Sequence, residues 1–421
     1  MALLIQRPKG TQDALPSNIN KWHTVERVVK TAAAKFGFKE IRTPVFEDTG
    51  LFVRSVGDTS DVVTKEMYTV SSKGDATFTL RPEGTAGAVR AMLENGVMNE
   101  GFPQKIYYID TCYRHEKPQA GRLREFHQFG VEMFGSASPY ADAEIILLAR
   151  SILNATIGDK ISLNINSIGC PTCRAEYHKA LKEYFTSKKE ELCETCLERL
   201  DKNPMRILDC KSKVCSAIAA DAPKILDYLC DGCREHFDKL KGILDAQGVE
   251  YTVNPKIVRG LDYYTRTVFE FISTDIGAQG TVCGGGRYDG LVAQLGGQPT
   301  PALGFGMGLE RLIMVMEATG AEFDSADTPD IYIAPMGERA QSEAGKIVAG
   351  LREAGFKAEF DIIGRGLKPQ MRYADKIKAK FVIVLGDNEL DSGEFKLKDM
   401  TTGEQTDITL AALAEELGKR V

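Results

Sequence analysis

The sequence predicts an α+β fold with a smaller α/β module at its carboxy-terminal end. Three observations carry that expectation. Runs with two-residue apolar alternation, such as 125–134, share the first three-quarters of the chain with helical stripes such as 19–36. Eight of the ten cysteines crowd between Cys170 and Cys233, in a Lys- and Glu-rich stretch of mostly helical pattern. Beyond residue 329, short apolar runs alternate with helical segments over about ninety residues, the size of one domain.

Composition bounds the rest. At 421 residues the chain has room for about three domains. Its 43% hydrophobic and 27% charged residues are those of an ordinary globular protein. A formal charge of −6 gives no global pull toward nucleic acid, so a polyanionic partner must meet local basic patches. No stretch approaches the roughly 18 uncharged apolar residues that a membrane span needs. The apolar head of MALLIQRPKG is too short for a signal-peptide core. A cytoplasmic protein is expected.

Taken in order, the first element is a helix. Ile19, Trp22, Val25, Val29, Ala32, Ala33 and Phe36 form one stripe that Gly37 ends. KEIRTPVFED is extended but interrupted by Pro44, which cannot donate to a ladder, so it belongs at an edge or a junction. A strand from Phe78 to Glu83 runs into a helix that Ala86, Val89 and Leu93 begin. KIYYIDTCYR and EFHQFGVEMF are strands flanking a ten-residue polar loop. A helix over 142–155 and the strand ISLNINSIG precede the cysteine-rich segment. Strands return at 251–258 and 267–273, before a Gly-rich turn and PALGFGMGLERLIMVM. GAEFDSADTPD reads as a linker; after it DIYIAPM, a helix near 340–354, KAEFDI, a basic helix and KFVIVLG alternate strand and helix. The expected division is residues 1–325, with a cysteine-rich, mostly helical insertion at 170–245, and residues 329–421.

Four stretches carry chemistry. On strand 125–134, Phe126, Gln128, Gly130, Glu132 and Phe134 share one face, while His127, Phe129, Val131 and Met133 share a core-like face. Gln and Glu around a bare glycine suit a small ligand, since Glu132 accepts from an amine or imidazole N–H. The loop before it holds Arg114, Lys117, Arg122 and Arg124 against Glu116. Guanidiniums fork onto phosphate oxygens and stack on purines, so this tip fits a triphosphate or an RNA end, or is a solvated charge run. In LRPEGTAG, Glu83 and Thr85 either hold an ammonium or cap the following helix. In ALGFGMGLERL, Gly304, Gly306 and Gly308 strip one strand face so that a flat ring lies on the backbone under Arg311, or else they allow close sheet packing. Neither phosphate-cradling signature, GxGxxG after a strand or GxxxxGK[ST], is present. RGLDYYTRTVFEF sets Arg259 and two tyrosines at the mouth of a strand whose Val268 and Ile272 flank Glu270.

Together these stretches resemble the class II aminoacyl-tRNA synthetases, and within them the histidyl-tRNA synthetases of bacterial type, over nearly the whole chain. The first helix and the Pro44 strand resemble motif 1 of the class, YRHEKPQAGRLREFHQFGVEMFG motif 2, and ALGFGMGLERL motif 3. RGLDYYTRTVFEF and CGGGRYDG resemble two stretches peculiar to the histidine enzymes. The resemblance implies a mostly antiparallel sheet flanked by helices, a carboxy-terminal anticodon-binding domain and a homodimer. It implies ligation of L-histidine to tRNA through a histidyl-adenylate, with ATP as substrate and Mg²⁺ on its phosphates. Arg259 would then face the α-phosphate together with Arg114, and Arg122 the γ-phosphate beside Glu116. Phe126 and Arg311 would sandwich the adenine. Glu83, Thr85 and Gln128 would hold the histidine ammonium, while Glu132, Tyr263, Tyr264 and Tyr288 surround its imidazole. Two other classes compete: a synthetase-like regulatory subunit that charges no tRNA, and a class II ligase for threonine or proline. The presence of the carboxy-terminal module and of LDYYT and GGRYDG argues against both.

The basic residues from Lys357 to Lys380 supply the local charge that an anticodon contact needs, or else a solvated helix face. The pairs Cys170/Cys173, Cys193/Cys196 and Cys230/Cys233, with Cys210 and Cys215, match the ligand count of two structural Zn²⁺ sites. Buried unliganded thiols and redox chemistry are the alternatives, and the family does not generally require zinc there.

Overall fold

In the computed structural model, residues 5–57, 60–71, 76–210, 212–275 and 280–421 are described; most of the apolar head lies outside them. The chain divides into two compact units, Met1–Asp324 and Ser325–Val421.

The first helix, Ile19–Lys35, buries Val25, Val29, Ala32 and Ala33, the stripe its spacing anticipates. Pro44 then separates two short strands in different sheets. β1 (Lys39–Glu40) is the edge of an eight-stranded sheet, while β2 (Phe46–Asp48) joins β3 (Tyr68–Ser71) and β4 (Thr77–Leu80) in a three-stranded one. Both readings of Pro44 hold: it sits at a junction, and the strands on either side of it are edge strands.

The large sheet continues with β5 (Gln104–Tyr113), β6 (Glu125–Phe134), β7 (Ser162–Ser167), β8 (Thr252–Val253), β9 (Thr265–Ile272), β10 (Thr281–Arg287) and β11 (Ala302–Gly308). Their spatial order is β1-β5-β6-β11-β10-β9-β7-β8. Every pair is antiparallel except the two edges, β1 with β5 and β7 with β8. This is the mostly antiparallel sheet that the resemblance implies. Phe129, Val131, Phe269, Phe271, Phe305 and Met307 point to one side and form a core with helices Ile19–Lys35, Pro139–Ile157, Asp231–Ala246 and Leu309–Thr319. The other side is therefore available for a ligand.

The strand expected over 251–258 is only Thr252–Val253. Pro255 has no N–H to continue the ladder, and the segment leaves the sheet plane. That departure matters, because it carries Arg259, Tyr263 and Tyr264 back over the open face of the sheet.

The second unit has strand order β13-β12-β14-β15-β16, with β12 (Ile331–Pro335), β13 (Ala358–Phe360), β14 (Phe381–Leu385), β15 (Glu394–Asp399) and β16 (Gln405–Thr409). β12, β13 and β14 are parallel and the last two antiparallel. The expected alternation ends at β14; the hairpin after it and the helix Leu410–Arg420 add to the anticipated elements. Much of the basic stretch is paired: Lys357 with Asp327, Arg365 with Asp361, Lys378 with Asp375 and Lys380 with Asp330. Among the described residues Lys368, Arg372 and Lys376 on helix Leu367–Lys376 have no such pair. Beside them Ile362 and Ile363 are 76% and 71% exposed.

No helix among the described residues is long and apolar enough to cross a membrane.

Candidate active site

Cross-strand register builds the floor of the site. Gln128 lies opposite Gly308, Gly130 opposite Gly306, and Glu132 opposite Gly304. On the next strand Gly284 is paired with Gly306 on one side and Glu270 on the other. Side chains opposite one another share a face, so Gln128, Glu132 and Glu270 project over a strip of glycines. The strip is not bare, as the spacing of Gly304 and Gly306 suggests. A Cβ at Gly304 would stand 2.1 Å from Glu132 Oε2, and one at Gly306 2.1 Å from Gln128 Nε2. The two polar side chains lie flat across the backbone, and only glycine leaves them that space. A flat ring has room instead at Gly308, where the nearest atoms belong to Arg311 at 3.9 Å.

At the acidic end, Glu132 is 1% exposed and Glu83 is 3% exposed. Tyr108 donates to Glu132 Oε1 at 2.8 Å, and Tyr288 donates to Oε2. Burial pushes the Glu132 carboxyl up to about 8, against the lowering effect of the Tyr288, Thr85 and Tyr108 hydroxyls. Glu83 accepts the Thr85 and Ala86 backbone N–H groups at 2.7 and 2.9 Å, so it does cap the helix Thr85–Glu94. It nonetheless faces the cavity, and burial raises its carboxyl despite those bonds. Neither acid has an ion-pair partner among the described residues. Tyr263 packs on Tyr264 and Tyr288 with ring centroids 4.8 and 5.4 Å apart, closing an aromatic wall around this end.

At the other end cations gather. The Arg259 guanidinium hydrogen-bonds Glu270 Oε1 at 2.5 Å, stands 5.5 Å from the Tyr264 ring centroid and lies against Gly284. Arg114 donates to the Pro82 carbonyl at 2.8 Å and sits over the Phe126 ring at 5.4 Å. Arg122 is paired with Glu116, and Arg311 donates to the Gly121 and Thr281 carbonyls at 2.6 and 2.7 Å. Burial, and then Arg122 and Arg114, pull the Arg311 guanidinium below its ordinary value. A guanidinium lowered by its cationic neighbours marks a place for a polyanion.

Both ends open into one cavity of about 760 Å³. Of the residues expected at a site, Glu83, Thr85, Arg114, Glu116, Arg122, Phe126, Gln128, Arg259, Tyr263, Tyr264 and Arg311 line it. Glu132 and Tyr288 lie just behind, hydrogen-bonded to each other. Two participants escape a reading of the sequence. Tyr108 is invisible because KIYYID offers two adjacent tyrosines, and only the register opposite Gly130 tells which faces the site. Glu270 is legible as a polar residue in an apolar run but shows its purpose only when Arg259 folds back onto it. The clustered cysteines form two groups of four, Cys170, Cys173, Cys230 and Cys233, and Cys193, Cys196, Cys210 and Cys215, and of these eight Cys210 lines the cavity.

Comparison with known proteins agrees with this geometry. The family described as histidyl-tRNA synthetase matches residues 10–312, and the anticodon binding domain matches residues 330–420. The histidine–tRNA ligase of Acetivibrio thermocellus is 54% identical over 415 residues, 99% of this chain and 100% of the relative. That of Caldanaerobacter subterraneus is 51% identical over 419 residues, 100% of each. The crystal structure of apo S. aureus histidyl-tRNA synthetase has a TM-score of 0.83 at 38% identity, covering 98% of this chain and 100% of that one.

Proposed function

Because this chain belongs to the histidyl-tRNA synthetase family, we propose that it ligates L-histidine to the 3′ end of its tRNA, with Arg259 as the cation that serves the reacting phosphate. The observation that carries this reading is the polarity of the cavity. Two buried acids with no ion pair among the described residues sit at or just behind one end, and four guanidiniums, Arg259 among them, gather at the other.

Histidine fits the acidic end. Its ammonium lies between Glu83 and Gln128 near Thr85, and its imidazole N–H donates to Glu132 within the wall of Tyr263, Tyr264 and Tyr288. ATP fits the cationic end: Arg114 at the α-phosphate, Arg122 at the γ-phosphate beside Glu116, and the adenine over Gly308 between Phe126 and Arg311. Mg²⁺ enters as part of the nucleotide substrate, and Glu116 and Glu310 are the hard oxygen donors at that end of the cavity.

In the first step the histidine carboxylate oxygen bonds to the α-phosphorus, the bond to the bridging oxygen breaks, and pyrophosphate leaves. Negative charge grows on the phosphoryl oxygens, and Arg259, already fixed by Glu270 and Tyr264, needs no reorganisation to meet it. In the second step a terminal ribose hydroxyl of tRNA takes the acyl group and AMP leaves. Positioning and charge stabilisation suffice, with no covalent enzyme intermediate. Specificity rests on Glu132 with its two tyrosines, because a substrate without the imidazole N–H leaves buried polar groups unpaired, a loss of up to about 10⁴-fold.

In the second unit, Lys368, Arg372, Lys376 and the exposed Ile362–Ile363 pair are the surface offered to the anticodon, and the reaction belongs in the cytoplasm with its tRNA. A homodimer is supported by apolar groups left outside on the motif-1 strand and the elements after it: Val45, Phe46, Val53 and Val70 are all exposed.

ATP–pyrophosphate exchange tests the reading. It should require histidine and be refused with threonine or proline. Arg259→Ala should lower exchange by about 10²–10³-fold while histidine still binds; undiminished exchange in that variant would defeat the assignment.

A further inference from the structure

The two cysteine quartets are absorbed by nothing in the reaction. Within each, the four sulfurs all lie within 4.8 Å of one another. The sulfur–sulfur separations are 3.6 Å for Cys170–Cys173, 3.9 Å for Cys170–Cys230 and 3.8 Å for Cys193–Cys210. Four thiolates bound to one Zn²⁺ at about 2.3 Å form a tetrahedron with edges of about 3.8 Å. Disulfides are excluded as the organising bond, since all eight thiols are free and bonded sulfurs approach to about 2 Å. A multi-iron cluster is excluded too, because its four cysteines are shared among two or more irons and those on different irons stand farther apart.

The surrounding backbone is arranged for thiolates. Each Cys-x-x-Cys pair starts a helix, with Cys170, Cys193 and Cys230 at the caps of Pro171–Thr186, Glu194–Lys202 and Asp231–Ala246. The Cys230 N–H donates to Cys173 Sγ at 3.1 Å, and the Cys193 N–H donates to Cys215 Sγ at 3.2 Å. Such outer bonds orient ligands and spread their charge. Four thiolates this close repel unless a divalent cation sits among them, and all-sulfur donors favour a soft ion.

We propose that each quartet binds one Zn²⁺ and that the two ions hold the insertion as a clasp over the histidine end of the cavity. The pairing is nested. The outer ion joins the start of the insertion to its end, and the inner ion closes its tip. Between these anchors lie the residues that grip the Arg259–Tyr264 loop. Arg174 donates to the Tyr264 carbonyl at 3.2 Å, Arg206 to the Gly260 carbonyl at 2.5 Å, and Asn203 to Asp262 at 3.3 Å. Leu208, Asp209 and Cys210 themselves form part of the cavity wall. Zinc at the inner site thus sets the position of the loop that carries the phosphate-facing arginine.

Elemental analysis of the full-length protein, purified without chelator, tests this independently of the functional assignment. About two zinc per chain are expected. Cys170→Ser/Cys173→Ser and Cys193→Ser/Cys196→Ser should each retain about one, and Cys112→Ser both. Where a double variant fails to fold, mercurial titration of the wild-type protein should release two zinc ions as the quartets react. Cobalt exchanged into it should show thiolate charge-transfer and tetrahedral bands. Fewer than about 0.2 zinc per chain, a single zinc, or octahedral cobalt would each overturn the proposal. Release of the inner ion should also loosen the clasp, seen as faster amide exchange at 259–264; unchanged exchange there would remove the link to the loop.

Discussion

Glu132→Gln separates the recognition of histidine from the general integrity of the site. In the ligand-free protein burial holds this carboxyl at about 8, against 4.5 ordinarily. The unfolded chain therefore loses its proton at a lower pH than the folded one. The sign follows: the stability associated with this group is complete below about 4.5 and is lost progressively as pH rises toward 8. At pH 7 the difference spans about 2.5 pH units, or roughly 3 kcal/mol at 1.36 kcal/mol per unit. A glutamine has no charge to keep out of the interior and retains an oxygen for Tyr108 or Tyr288. Glu132→Gln should therefore melt about 4 °C higher than the wild type in the absence of ligand at pH 7.

Binding should respond the opposite way. The ionised carboxylate accepts from an imidazole N–H more strongly than the neutral acid does, and only about one-eleventh of molecules are ionised at pH 7 against about one-half at pH 8. Histidine affinity should thus rise about fivefold between pH 7 and 8, and by less than about twofold from 8 to 9. Loss of one charged hydrogen bond should weaken binding to Glu132→Gln by about ten- to hundredfold, within reach of calorimetry. Titration in two buffers of different ionisation enthalpy then counts protons. Protons released by the ligand's own imidazole are common to both proteins, so the wild type should release about 0.9 more at pH 7. Equal release from the two proteins, or a flat wild-type affinity between pH 7 and 8, would refute the reasoning.

Three further outcomes follow from the same geometry. Tyr108→Phe keeps the buried ring but removes one donor to Glu132, so histidine affinity should fall about two- to tenfold and the pH midpoint move upward; an unmoved midpoint would show that the hydroxyl is not felt. Arg311→Gln should raise the KM for ATP in pyrophosphate exchange by about tenfold or more while leaving histidine binding alone, and a shared loss would place Arg311 in fold maintenance instead. A chain ending after Asp324 should lose tRNA charging far more than exchange, because the second unit matches an anticodon binding domain; equal loss in the two assays counts against that division.

The sequence was informative where chemistry alternates along one strand. In EFHQFGVEMF the two faces differ so sharply that Gln128 and Glu132 could be assigned to a ligand and Phe129 and Val131 to the core, and the register leaves both where alternation put them. It was misleading where meaning depends on a neighbouring strand. Gly304 and Gly306 read as a platform for a flat ring, yet they are recesses for the side chains of β6. Strand order is a non-local property, and nothing within ALGFGMG says which residues lie opposite. The same limit hides Tyr108, separated in sequence from its partner Glu132 by a whole hairpin loop. The cysteines show it most plainly. Pair spacing supplies the ligand number, but that Cys170 joins Cys230 while Cys193 joins Cys210 is decided by how the intervening helices pack, across 60 residues in the first case and 17 in the second.

The empty cavity holds two electrostatic conflicts a short distance apart on one sheet face. Glu83 and Glu132 at one end are raised by their burial, and Arg311 at the other is lowered by its burial and its fellow arginines. Neither end can relax toward the other, because the glycine strip is fixed by backbone pairing and Arg259 is already committed to Glu270. An amino acid's ammonium relieves the first conflict and a triphosphate the second. In the proposed placement the sheet spaces the two substrates so that the carboxylate of one and the α-phosphorus of the other meet beside the same guanidinium. Reactivity in such a site arises from strain that only the correct pair of charges removes, and that is why the acids and the arginines must be read together.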